Sequence, residues 1–401
     1  MHITARWVVP MKDVGELLEE HTLVMRDGRI LDVLPSRTAA ERYAPRVILE
    51  RPAHLLMPGL VNARTCSGPP PAGGGLDADE HRFDADAALL TVANMLKSGV
   101  TAFCDIGYFP GEAARIAAHQ GLRAVIGLPL DDRPGPRARD FTECLTRAIR
   151  LRDEYKGHPS ISTAFAPLRI HALDAATLAR IGTLAAELDA AVLVSVHDSL
   201  QAVGDCVARH AARPLARLEA AGLLTPALSA SHLGHLEAPE IELVRRAGIG
   251  AVLCLASELL RGNGLPAIDA LSSLRTALGT DAATCGSAHD LWTEIKLYAL
   301  HAAGGSRPEA ALAAATRGGA AVLGLDAEVG TLEPGKWADV CCIELRAPAA
   351  RAAGDTLRRL ALTGGRDLVS DVWIAGRHLL SEGRFTRLDW PGLAARLREA
   401  P

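Results

Sequence analysis

The stretch Pro58 to Gly68, PGLVNARTCSG, reads as the end of a buried strand that delivers Arg64, Thr65 and Cys66 to a reactive centre. Working outward from it, seven more short apolar runs follow. In chain order the set is HLLMPGLVNA, TAFCDI, LRAVIGLPL, SISTAFAP, AAVLVSVH, PALSASH, GIGAVLCLA and LRTALGTD. Amphipathic or Ala-rich segments lie between them. In DAATLARIGTLAAELDA, Asp174 is placed to cap a helix, with Leu178, Ile181, Leu184 and Leu188 on one face. Strands alternating with helices imply parallel pairing through crossovers. Eight near-continuously apolar strands favour an α/β fold closed into a (β/α)8 TIM barrel over an open sheet.

The chain ends read differently. TLVMRDGRILDVLP near the start, and VGTLEPGKWADVCCIEL and SDVWIAGRHLLSEGRF near the end, are β-rich runs separated by DG, PG, AG and EG turns. They predict a small composite β-sandwich from residues 1–55 and 326–385, a barrel over 56–325, and a C-terminal helix within 386–401. Residues 67–75, SGPPPAGGG, are the one low-complexity tract, read as either a lid at the barrel mouth or a plain connection.

The 401 residues are 49% apolar and 22% charged, a composition that folds, and the net charge of −4 has no basic cluster to serve nucleic acid or anionic lipid. No leader-like basic and apolar start and no long apolar run is present, so a cytoplasmic protein is expected. Eight dispersed cysteines without a CxxC pair argue against a zinc ribbon or a disulfide framework.

In such a barrel, reactive groups collect at the C-terminal strand ends. These positions hold Arg64 and Cys66, then Asp105, His197, His232 and Asp281. Two histidines and an aspartate, each closing an apolar run, point to a shared centre, because a buried polar group without a partner costs on the order of a few kcal/mol. His171, His235 and His289 are read as solvated surface residues.

MPGLVNA, GVTAFCDIGYF, SASHLGHLEAPEIELVRRAGIGAVLC, ALGTD and LGLDAEVGTLEPGKWADVCCIEL together resemble the amidohydrolase superfamily, in particular its triazine-hydrolase and methylthioadenosine/S-adenosylhomocysteine deaminase branch. The resemblance implies hydrolysis of a C–N or C–Cl bond on a small nitrogen-rich ring, with a divalent metal activating water, and suggests a homodimer. It makes His197 the strand-five metal ligand, Asp281 the strand-eight ligand and proton shuttle, and His232 a ligand or polarising group. The strand-one HxH pair is replaced by Arg64 and Cys66. Further departures are Pro167-Leu168 in place of a substrate-binding Pro-His, Leu200 in place of a Glu, and LASE at 255–258, which keeps only Ser257 of the family's pattern.

Three readings of the centre follow. Cys66, His197, Asp281 and His232 bind a divalent metal such as zinc as an altered set. Alternatively, no metal is used: Arg64 supplies the positive charge and favours a Cys66 thiolate, with His197 or His232 as general base and Asp281 as its orienter. In the third reading catalysis is lost and the barrel binds a ligand or steadies a partner subunit. The leading expectation is a hydrolase or deaminase of a small nitrogen-containing molecule, with Arg64 and Ser257 touching the substrate.

Overall fold

A computed structural model describes residues 1–399 apart from 14, 68–84, 108, 134–137, 272, 283–288, 302–307 and 346–352. The 67–75 tract lies outside the described residues from position 68 onward.

Nine strand segments form one all-parallel sheet. Leu60–Cys66, Val100–Asp105, Arg123–Leu130, Ile161–Pro167, Val192–Ser195, Leu228–Ser231, Gly250–Leu253 and Arg275–Leu278 pair in sequence, and Asp281–Ala282 returns to Leu60–Cys66. The last two segments are one interrupted eighth strand, so the sheet closes as a (β/α)8 barrel. Small residues at alternate positions, including Ala102 and Cys104, Ala164 and Ala166, and Val252 and Cys254, form an inner cluster. Their neighbours Phe103, Phe165, Ala251 and Leu253 join the larger cluster beneath the helices. This is the period of two that a strand buried on both faces imposes.

Three of the helices start where the sequence provides an acceptor. Asp140 accepts from the Glu143 N–H (2.9 Å), Asp174 from Thr177 (2.6 Å) and Ser199 from Ala202 (3.1 Å). Leu178 and Ile181 of Ala175–Glu187 are buried as the periodicity requires.

Both chain ends build a second sheet, ordered Arg384–Phe385, Arg377–Ser381, Val369–Ile374, Val340–Glu344, Ile48–Pro58, His2–Val8, Leu18–Arg26 and Arg29–Pro35. Its two halves meet where Val340 pairs with Pro58 and Cys341 with Met57. HLLMPGLVNA, read above as one barrel strand, is therefore two. His54–Pro58 belongs to the second sheet, and Gly59 marks the crossing because a Cβ there would lie 2.1 Å from the Thr101 hydroxyl. The terminal helix Trp390–Glu399 docks through Arg396, whose guanidinium grips Asp86 with two bonds of 2.8 Å. Among the described residues no helix is long and apolar enough to cross a membrane.

Candidate active site

The seam between the first and eighth barrel strands creates the centre. The eighth strand breaks at Gly279 and Thr280, and the buried Asn62 side chain replaces the missing ladder: its Nδ2 donates to Thr280 Oγ1 (2.9 Å) and its Oδ1 accepts from the Thr280 N–H (3.1 Å). Gly279 lets the Arg64 backbone approach, since a Cβ at 279 would sit 2.8 Å from Arg64 Cβ. Beyond the break, Asp281 adopts a left-handed φ of 55°, a conformation uncommon for a non-glycine residue, which turns its carboxylate inward.

Three donors meet that carboxylate. Arg64 Nε donates to Oδ1 (3.1 Å), while Ser257 Oγ (2.7 Å) and an Arg261 terminal nitrogen (2.9 Å) donate to Oδ2. A terminal nitrogen of Arg64 also donates to Ser195 Oγ at 2.8 Å. Burial raises the Asp281 pKa, but the Arg64 and Arg261 guanidiniums outweigh it and hold the carboxyl well below the usual range. Burial likewise opposes the charge on Arg64, and Asp281 reverses the balance in favour of the guanidinium.

His232 stands beside this pair with its own backbone at φ 56°. Its Nδ1 is 2.7 Å from Glu258 Oε1 and its Nε2, 3.7 Å from Asp281 Oδ2, has no hydrogen-bond partner. His197 is attached to His232 through the backbone, its N–H donating to the His232 carbonyl (3.0 Å). Its imidazole turns toward Glu240, with Nε2 at 3.8 Å and neither ring nitrogen hydrogen-bonded. Burial lowers its pKa to about 4, so the ring is neutral at physiological pH. Glu240 is gripped by both Nε and a terminal nitrogen of Arg213.

Of the residues expected at the centre, Arg64, His232, Ser257 and Asp281 are brought together. His197 is adjacent but faces Glu240. Cys66 is half-buried, paired in the strand ladder with Ala282. Asp105 faces the backbone, accepting from Thr65 Oγ1 (3.2 Å) and from the Ser67 (2.6 Å) and Gly107 (3.0 Å) N–H groups, so it fixes the end of PGLVNARTCSG. His289 corrects the surface reading: it is 1% exposed, lies 3.2 Å from Thr280 Oγ1, and is driven by burial to a pKa of about 4. His171 and His235 are half-buried, and His235 Nε2 has no partner.

The sequence reading missed Ser195, Glu258 and Arg261. Glu258 was open to detection, because it is the acidic residue in LASE where the resembled pattern ends in Asn. Ser195 and Arg261 carry no such signal.

The donor set does not fit zinc. Among the described residues no three His, Cys, Asp or Glu side chains gather to hold an ion. Both Asp281 oxygens are occupied, and a fixed guanidinium stands beside them, where it would repel a dication.

A closed parallel barrel that brings an imidazole, a carboxylate and a guanidinium together at its strand ends has the architecture of a (β/α)8 enzyme. The amidohydrolase family matches residues 55–379, and the chain belongs to it, in the class of hydrolases that act on carbon–nitrogen bonds other than peptide bonds. A 5-methylthioadenosine/S-adenosylhomocysteine deaminase of Teredinibacter turnerae is 31% identical, over 98% of this chain and 95% of its own length. The crystal structure of an adenosine deaminase from Xanthomonas campestris with bound zinc superposes with a TM-score of 0.93 at 33% identity, covering 99% and 97% of the two chains. An atrazine chlorohydrolase from Arthrobacter aurescens complexed with zinc shares the fold alone, with a TM-score of 0.83 at 20% identity over 99% of each chain.

Proposed function

We propose that the chain hydrolyses a C–N bond of a small nitrogen-containing molecule at the barrel mouth without a metal ion, with the Arg64 guanidinium as the resident positive charge. The observation that carries this reading is the fixing of Arg64 by Asp281 and Ser195 inside the strand ends. A cation oriented in this way stabilises negative charge that develops on the atom under attack. Asp281, held ionised by its cations, orients Arg64 and carries no proton.

His232 is the base in this scheme. In this scheme Glu258 Oε1 accepts from Nδ1–H, which leaves the lone pair on the unpartnered Nε2. Nε2 takes a proton from water as the water oxygen bonds to carbon. The charge that accumulates on the substrate is met by guanidinium. The C–N bond then breaks, and the imidazolium returns the proton to the leaving nitrogen, regenerating neutral His232. Ser257, which bonds Asp281, holds that carboxylate in place.

The test is ammonia release from adenosine, 5-methylthioadenosine, guanine and simple aminotriazines by protein dialysed against a chelator, with zinc content measured alongside. Turnover unaffected by the chelator, and at least about 100-fold lower in Arg64→Met, is expected. Turnover that appears only on adding zinc sinks the metal-free chemistry. Binding of these compounds without any turnover transfers the protein to the non-catalytic reading.

A further inference from the structure

We infer that Glu294 is a positioning residue for this centre, acting through the backbone of the short helix Leu255–Arg261. Glu294 lies on Leu291–His301 and is completely buried. Its carboxyl accepts from the Leu255 N–H at 2.6 Å and from the Ala256 N–H at 3.3 and 3.4 Å. These are among the first donors of the helix, which no residue within the helix can satisfy. The residue at the cap position, Cys254, makes no side-chain cap bond, so the carboxyl that fixes this helix end comes from a different element.

The helix it fixes carries three of the contacts that define the centre. Ser257 and Arg261 donate to Asp281, and Glu258 meets His232 Nδ1. The three occupy one and a half turns, so their side chains cannot be aimed independently of the helix axis. At the other end Gly262 closes the helix in a left-handed conformation, φ 68°. A helix of seven residues has little stability of its own. Its rotation and depth are set by what grips its ends, and Glu294 is that grip on the side facing the strands.

The consequence for turnover rests on His232 and Glu258 acting as base and orienter, but the geometric claim can be read without a substrate. The short His232–Glu258 hydrogen bond should give an imidazole proton resonance downfield of the amide envelope, assigned by its loss in His232→Asn, since asparagine tolerates the left-handed backbone at 232. The expected result is that Glu294→Gln, which retains an acceptor oxygen, keeps the resonance at its wild-type position, whereas Glu294→Ala shifts or broadens it. With a substrate in hand, Glu294→Ala lowers kcat at least about 10-fold with little change in KM, and Glu294→Gln restores it. A folded Glu294→Ala protein with an unmoved resonance overturns the inference while leaving the His232–Glu258 pair intact. If the resonance is missing from the wild type, the pair itself is wrong, and the proposed base and the inference fall together. Should Glu294→Ala not fold, Glu294→Asp replaces it: its carboxyl is one methylene short of the two N–H groups, and the same shift is expected, an unmoved resonance again overturning the proposal.

Discussion

One buried arginine–aspartate pair lies in the second sheet and another at the barrel mouth, and only the latter sits in the candidate site. In the second sheet Arg51 donates to both oxygens of Asp371 (3.0 and 2.9 Å), and His378 Nε2 (2.9 Å), Ser370 Oγ (2.7 Å) and the Glu382 N–H (3.4 Å) also meet it. His378 also stacks on Trp373, their ring centroids 4.4 Å apart. At the barrel mouth Asp281 takes three donors, fewer than Asp371, and both carboxyls lie well below the ordinary range despite their burial. The difference is in the surroundings. The imidazole facing Asp371 bonds to it, while the one facing Asp281 stops at 3.7 Å with Nε2 unpartnered. Two partnerless buried atoms lie near Asp371, His54 Nδ1 and Trp373 Nε1; near Asp281 such atoms fall on His232, Glu258 and His289. Left-handed backbone at His232, Asp281 and His289 adds local strain at the mouth. A buried ion pair therefore does not mark a site by itself. What distinguishes the mouth is an imidazole nitrogen left unpartnered beside the carboxylate.

The largest expected effect tests the similarity. Arg51→Met and Arg64→Met each strand a buried carboxylate, and each should cost about 3–5 kcal/mol in urea unfolding. Arg64→Met should in addition abolish turnover, whereas Arg51→Met leaves kcat unchanged at temperatures where it stays folded. A loss of turnover in Arg51→Met at unchanged secondary structure would break the comparison from the side of the second sheet. Near-wild-type stability in Arg64→Met would break it from the barrel side, by showing that Arg261 and Ser257 suffice for Asp281.

A second effect separates the two regions by pH. His197 and His289 are held neutral by burial, with pKa values near 4 against an ordinary 6.5. The unfolded chain takes up these protons first, so stability present above pH 6.5 is lost as pH falls through about 4, by up to about 3 kcal/mol per residue. Asp281 and Asp371 act in a later window: their depressed pKa values add stability above the usual carboxylate range that is lost only as pH falls below it. Unfolding measured between pH 7 and 4 should therefore flatten in His289→Gln and stay steep in Arg51→Met. An unchanged slope in His289→Gln would mean that its ring is charged or solvated in the native state.

Most of the fold was legible because it is written in local periodicity. Eight apolar runs and two β-rich ends need no long-range information, and Asp174 marks the start of its helix by accepting from the Thr177 N–H. The error at HLLMPGLVNA arose because apolar content continues unbroken across Gly59, while the reason for the break, Thr101 pressed against the glycine, is distant in sequence. The centre was legible only as strand ends. Arg64 and Asp281 could be placed near each other from the topology, but Ser195 and Arg261 reach them with side chains whose direction no strand or helix pattern encodes. His289 looked like a surface residue because nothing local shows that Thr280, at the break in the eighth strand, faces it.

The smallest expected effect is the sharpest on what the rim contributes. Each pair has one outer partner: Arg261, whose side chain is 41% exposed, reaches in to Asp281, and Glu382, 79% exposed, lies 3.9 Å from Arg51. Exposed partners of this kind are screened by water, so Arg261→Ala and Glu382→Ala should each change stability by no more than about 1 kcal/mol. Their chemistry should differ. Arg261→Ala removes a donor from Asp281 Oδ2, the oxygen nearest His232 Nε2, and so alters the field at the atom proposed to take the proton. Its kcat and the pH dependence of kcat should move, while those of Glu382→Ala stay where they were. If Arg261→Ala instead costs more than about 2 kcal/mol with an unaltered pH profile, Arg261 belongs with Arg51 as a structural cation, and the positive charge available for chemistry is that of Arg64 alone.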